Sequence, residues 1–146
     1  MPYFVDTNVF LRIVPKTDPD REAALSALRK LIMRKEEFYY TTQVLAEFWT
    51  VCTRPTTARG GYGLSVAKTE RKARLIERYG QFLPETAAAH QEWRRLITTH
   101  AVQGVQVHDT RLVAVMKTFG LTHLLTFEKR NFTRFPGITV VAPDEV

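Results

Sequence analysis

The chain has 146 residues, 45% of them hydrophobic, which suits one soluble domain with a sizeable core. No apolar run approaches the ~20 residues of a membrane span, no secretory signal pattern opens the chain, and the single cysteine, Cys52, excludes an internal disulfide and suits a reducing cytoplasm. The net charge of +6 points to a polyanionic partner.

Tyr3-Phe4-Val5 is a short β-prone run that ends at Asp6. Thr7 and Asn8 follow, and Val9 to Val14 reads as a short helix stopped by Pro15. Asp18-Pro19 is a helix start, with a cap and then proline. Ala24, Leu25, Leu28, Leu31 and Ile32 give that helix one apolar face. Glu37 to Thr41 reads as a second strand. Thr42 or Gln43 then opens a helix with Val44, Leu45, Phe48, Val51 and Cys52 inward, ended by Pro55.

The stretch from Thr56 to Gly63 holds three glycines and no periodicity, the pattern of a mobile loop. Ser65 caps a helix to about Tyr79, with Val66, Thr69, Ala73 and Ile76 as its packing stripe. Between Arg54 and Arg78 seven basic residues face only two acids, so this segment carries +5 of the chain's +6. Gln81 to Leu83 is a short strand candidate. Thr86 caps a helix carrying Trp93, Leu96 and Ile97. Val105 to His108 leads to Asp109, which is expected to start a helix with Leu112, Val115, Met116 and Phe119 inward. Gly120 stops it. Thr122 to Thr126 and Ile138 to Val141 are the last strands. Short strands alternating with helices imply a single α/β domain over residues 1–146 with a mainly parallel sheet flanked by helices.

Four acids stand out by position. Asp6 ends the first strand, and open α/β sheets bind their ligands at that edge. Glu47 lies one helical turn after the second strand, at the edge of its helix's apolar stripe. Asp109 sits at a helix start, where the macrodipole favours negative charge. Glu128 follows the strand Thr122–Thr126 by two residues. Singly, each could be a cap or a surface residue. Brought together, such carboxylates repel and hold their protons unless a cation joins them. Hard divalent cations take oxygen ligands, and a site of this kind activates water for in-line phosphoryl displacement. The histidines show no zinc spacing, and no Walker A loop, GxGxxG or GxSxG pattern occurs.

The ordered blocks Phe4-Val5-Asp6-Thr7-Asn8, Val44-Leu45-Ala46-Glu47-Phe48-Trp49 with Thr53-Arg54-Pro55, Val107-His108-Asp109-Thr110-Arg111-Leu112-Val113-Ala114, Leu124-Leu125-Thr126-Phe127 and Phe135 to Val141 resemble a PIN domain. The likeness is strongest to the VapC-type toxin ribonucleases of toxin–antitoxin pairs. It implies a three-layer fold and a metal-dependent endoribonuclease. Asp6, Glu47 and Asp109 would be the catalytic, metal-binding acids for Mg²⁺ or Mn²⁺, with Thr7 holding the site through its hydroxyl. The family often carries a further acid after the late strand. Asn131 stands where that aspartate is common, so Glu128 becomes the candidate fourth ligand. Arg54, Arg71, Lys72, Arg74, Lys129 and Arg130 would hold the RNA backbone. The resemblance also implies a homodimer and a VapB-like antitoxin whose C-terminal segment blocks the cleft. Two rivals are a non-catalytic RNA-binding PIN module and a structure-directed DNA nuclease.

Overall fold

A computed structural model describes the whole chain, Met1–Val146. Five strands form one sheet: β1 (Tyr3–Val5), β2 (Phe38–Tyr40), β3 (Gln81–Phe82), β4 (His123–Leu125) and β5 (Thr139–Val141). Their order is β3-β2-β1-β4-β5, and every pairing is parallel, so the sheet is fully rather than mainly parallel. Parallel neighbours need long crossovers. Six helices supply most of them: α1 (Thr7–Leu11), α2 (Arg21–Met33), α3 (Thr42–Thr53), α4 (Val66–Tyr79), α5 (Ala87–Thr99) and α6 (Gln106–Thr118). The β4–β5 connection instead carries a single 3₁₀ turn, Lys129–Asn131.

Strand β1 is central. The chain steps outward from it through β2 to β3, then returns to its other side as β4 and β5. The order reverses between β1 and β4, and a crevice at such a switch point is where doubly wound sheets bind ligands. Phe4 pairs with Leu124 and Val5 with Leu125 across that boundary, and all four are fully buried. Strands covered on both faces read as continuous apolar runs, which is why these are so hydrophobic.

The helix boundaries differ from the sequence expectations for local reasons. Helix α1 starts at Thr7 because Asp6 caps it, its Oδ1 accepting the Thr7 N–H at 2.8 Å. Asp18 spends its carboxylate on the Asp20 N–H in a turn, so α2 begins at Arg21. Helix α6 begins at Gln106, not at Asp109. Gly104, at φ +63°, turns the chain, and residues 106–109 form the first helical turn. Asp109 therefore lies within that turn. Val66 and Phe119, expected inside, are 66% and 40% exposed, because they sit at helix ends beyond the core.

The glycine-rich stretch expected to be a mobile loop is anchored. The Tyr62 and Gly63 N–H groups donate to the Val51 and Arg54 carbonyls at 3.0 and 2.8 Å, and the Tyr62 hydroxyl donates to the Leu11 carbonyl at 3.1 Å. A Cβ on Gly61 would lie 2.4 Å from the Arg54 carbonyl oxygen, so glycine is what lets the loop press against the end of α3.

Candidate active site

Asp6 leaves β1 at the switch point, 5% exposed. Its Oδ1 accepts the Thr7 N–H. Its Oδ2 accepts the Thr126 hydroxyl at 2.8 Å and the Asn8 amide at 3.2 Å. Asn8 is itself fixed, since its Oδ1 accepts the Phe127 N–H at 3.1 Å. The ends of β1 and β4 are thus laced together around one carboxylate. Burial pushes the Asp6 pKa up to about 7. The Thr126 hydroxyl and Thr7 N–H pull against that rise, while Asp109 and Glu47 add to it.

Thr41 caps α3 and aims its second turn along the sheet edge. There Glu47 Oε2 accepts the Thr7 hydroxyl at 2.9 Å, and Oε1 accepts the Gln43 amide at 2.9 Å. The same Gln43 nitrogen donates to the His108 carbonyl at 2.9 Å, which joins the start of α3 to the first turn of α6. Gln43 Oε1 is buried with no partner. Asp109 follows His108 directly. Its pKa is raised to about 6, by burial first and then by Glu47 and Glu128, against the lowering influence of His108 and the Asn131 amide.

All four acids line one cleft of about 680 Å³, with Asn131 beside them. Glu128 reaches its edge, anchored by its N–H to the Thr126 hydroxyl at 3.0 Å. No basic side chain stands within ion-pair distance of any of the four. Nor do three of the chain's His, Cys, Asp or Glu side chains close into a ready-made cage. The donors are all oxygen, the site is open, and the mutual repulsion is uncompensated. These features suit a hard cation that keeps much of its water and takes one or two carboxylates directly. Asp6, Glu47 and Asp109 are the residues that could hold it, with Glu128 at the margin.

The basic candidates separate by place. Arg54 lines the cleft. Lys129 and Arg130 lie on the adjoining 3₁₀ turn, where Lys129 is paired with Glu145 at 2.8 Å. Arg71, Lys72 and Arg74 are on α4 and do not line the cleft. Lys72 borders an apolar groove of about 230 Å³, and Arg74 pairs with Glu70 at 2.9 Å. Sequence reading missed Gln43, Asn8, Thr126 and Arg111. Three of them carried a signal. Gln43 lies one turn before Glu47, Asn8 two residues after Asp6, and Thr126 ends the strand beside Asp6.

The PIN domain family matches residues 3–138. The chain belongs to the PIN domain family. Among solved structures, this PIN domain is similar to VapBC2 from Rickettsia felis, bound to a DNA fragment from its promoter. The TM-score is 0.67 at 15% identity, covering 97% of this chain and 98% of that one. FitAcB from Neisseria gonorrhoeae gives a TM-score of 0.67 at 19% identity, covering 99% of both chains. VapC20 from Mycobacterium tuberculosis, described as a sarcin-ricin loop cleaving toxin, gives 0.58 at 21% identity, covering 84% and 86%. At these identities the likeness is one of fold. No curated protein matches the sequence. No helix is long and apolar enough to cross a membrane.

Proposed function

We propose that this PIN domain is a Mg²⁺- or Mn²⁺-dependent endoribonuclease and the toxin of a toxin–antitoxin pair. The observation that carries the reading is the convergence of Asp6, Glu47 and Asp109 on one cleft at the switch point, with burial and mutual repulsion holding Asp6 and Asp109 well above ordinary carboxylates. A divalent ion bound there would supply an activated water and neutralise charge developing on the phosphate. Asp6 and Asp109 would hold it, and Thr7 and Gln43 would fix the Glu47 carboxylate toward it. Arg54, Lys129 and Arg130 would hold the RNA backbone, positioning the substrate without reading its sequence. The products would carry a 5′-phosphate and a 3′-hydroxyl.

The toxin reading is supported by solved structures of similar fold, which include toxin–antitoxin complexes and a VapC toxin. It implies a cytoplasmic protein, a homodimer and a VapB-like antitoxin whose cationic side chain could enter the uncompensated acidic cleft. The test is purified protein with RNA and with DNA, each with Mg²⁺, Mn²⁺ or EDTA, beside Asp109→Asn and Glu47→Gln. RNA cleavage with metal, lost in both variants while they stay folded, is the expected result. Full activity in folded Asp109→Asn removes the site. Expression alone should arrest growth, and co-expression of the neighbouring gene's product should relieve it. Harmless expression of an active enzyme would make it a processing nuclease.

A further inference from the structure

The acidic cleft does not end at the acids. It shares Glu85, His108 and Arg111 with an adjoining cavity of about 500 Å³. Arg111 stands at the join, two residues beyond Asp109 on α6. Its Nε and Nη2 donate to the two oxygens of Glu85 at 2.9 and 2.7 Å. A guanidinium has five N–H donors in a fixed fork, so the Nη1 edge remains open to a second anion. The Glu85 carboxylate keeps the cation at the mouth of the cleft, though the charge of Glu47 also acts on it. Without that partner Arg111 would be free to fold onto the acids. The pair is about one-third exposed on each side, at 33% and 39%, so it can yield to a phosphate at small cost.

Beyond Arg111 the second cavity is walled by Trp93 and His90. The indole is fixed, its Nε1–H donating to the Val107 carbonyl at 2.8 Å. The His90 ring leans on it, with centroids 5.8 Å apart and planes at 48°. The Trp93 side chain is only partly covered and His90 is exposed. A held guanidinium followed by a fixed aromatic wall is the combination that binds unpaired nucleotides, because the cation takes the phosphate and the ring stacks the base.

We infer that Arg111 and the Trp93–His90 cavity form a subsite for the nucleotide next to the scissile phosphate of single-stranded RNA. This rests on the ribonuclease reading above. Arg111 takes the neighbouring phosphate, the base stacks on Trp93, and Glu85 is a positioning residue that orients Arg111. Stacking is tolerant of base identity, so the subsite prefers an unpaired strand over a duplex rather than one base over another.

The experiment has two stages. Wild-type protein with Mg²⁺ and a mixed-sequence RNA fixes the cleaved bond. Then 2-aminopurine is placed one or two nucleotides to either side, and its fluorescence is read on binding in EDTA and in Ca²⁺. Quenching on one side only is expected. Trp93→Leu should abolish the quenching and weaken binding by about tenfold, the scale of one base–aromatic stack. Arg111→Gln should weaken binding and reduce the salt slope by about 0.7, one phosphate contact. Glu85→Ala should raise the Mg²⁺ concentration needed for half-maximal thermal stabilisation, as Arg111 turns onto the acids. If wild type cleaves RNA but 2-aminopurine is unquenched at every flanking position, the subsite is overturned and the ribonuclease stands. If wild type cleaves no RNA, the ribonuclease reading and the subsite fall together. The wild-type fluorescence is decisive even if Trp93→Leu does not fold.

Discussion

Replacing Asp6 by asparagine in metal-free buffer measures what the buried carboxylate costs the fold. Burial lifts Asp6 from 3.8 to about 7, so the native state holds this proton more tightly than the unfolded chain does. The stability linked to that proton is complete below about pH 4 and is lost as pH rises through about 7. At roughly 1.4 kcal/mol per unit, ionised Asp6 costs the fold on the order of 4 kcal/mol at about pH 8. Asparagine avoids that cost but places an NH₂ group where Oδ2 accepted from Thr126 and Asn8. Thr126 can rotate its hydroxyl. Asn8 cannot turn its amide over without abandoning the Phe127 N–H, so the mismatch costs about 1–2 kcal/mol. The variant should be no more stable than wild type near pH 4 and more stable by roughly 2 kcal/mol near pH 8, or about 4–8 °C in Tm. Circular-dichroism melts across that range in EDTA give the difference, in which the groups that do not interact with Asp6 largely cancel. Adding Mg²⁺ near pH 8 should raise wild type and leave the variant unmoved. A difference that does not change with pH would refute the account of Asp6 as a carboxylate held high by burial.

Three further expectations follow from the same geometry. If Glu128 is a ligand, Glu128→Gln weakens Mg²⁺ binding and Asn131→Asp strengthens it; calorimetric titrations that match wild type for Glu128→Gln leave a three-acid site. Gln43→Leu keeps bulk but cuts the link between α3 and α6, so RNA cleavage should fall by about tenfold, on the scale of ~1–2 kcal/mol for a lost charge-assisted bond. Gln43→Glu, which lacks the donor, should be worse, and a fully active Gln43→Leu would show the link to be incidental. Replacing Arg71, Lys72 and Arg74 together by alanine should flatten the salt dependence of long-RNA binding while sparing oligonucleotides that fill only the cleft. An unchanged slope on long RNA would make the face of α4 merely solvated.

Much of the fold was legible because its signals are local. Ser65 and Thr86 each cap a helix through their own side chains, and the N–H groups they accept from lie three positions on. The apolar strands around Phe4 and Leu124 announce a sheet buried on both faces. The expected start of α6 at Asp109 is three residues late, because Val105-Gln106-Val107-His108 alternates apolar and polar residues and shows no helical period of its own. Gly104 before it, at φ +63°, turns the chain into a helix there. The glycine-rich loop looked mobile because composition does not show that Tyr62 reaches Leu11 across 51 residues. At the site, the acids could be found from strand ends and helix starts. Among their neutral partners the Thr126 contact is the least local, since Thr126 and Asp6 are 120 residues apart and meet only through the β1–β4 pairing.

Those neutral partners explain how an unfavourable site persists in a stable domain. Every side chain that donates to Asp6 or Glu47 is uncharged: Thr126 and Asn8 to the first, Thr7 and Gln43 to the second. A lysine or arginine in any of those places would satisfy the carboxylate better and would also cancel its charge. Hydroxyls and amides do something narrower. They fix where each carboxylate oxygen points, and every one of these oxygens except the doubly hydrogen-bonded Asp6 Oδ2 keeps a lone pair, while the net negative charge stays uncompensated. Of the two arginines that line the cleft, Arg111 is instead held by Glu85 and Arg54 donates to the Arg59 carbonyl at 3.1 Å. The chain therefore has its carboxylates oriented before any cation arrives, at a cost the rest of the core absorbs. The energy of their repulsion is released only when positive charge enters the cleft, which favours a cation there over water.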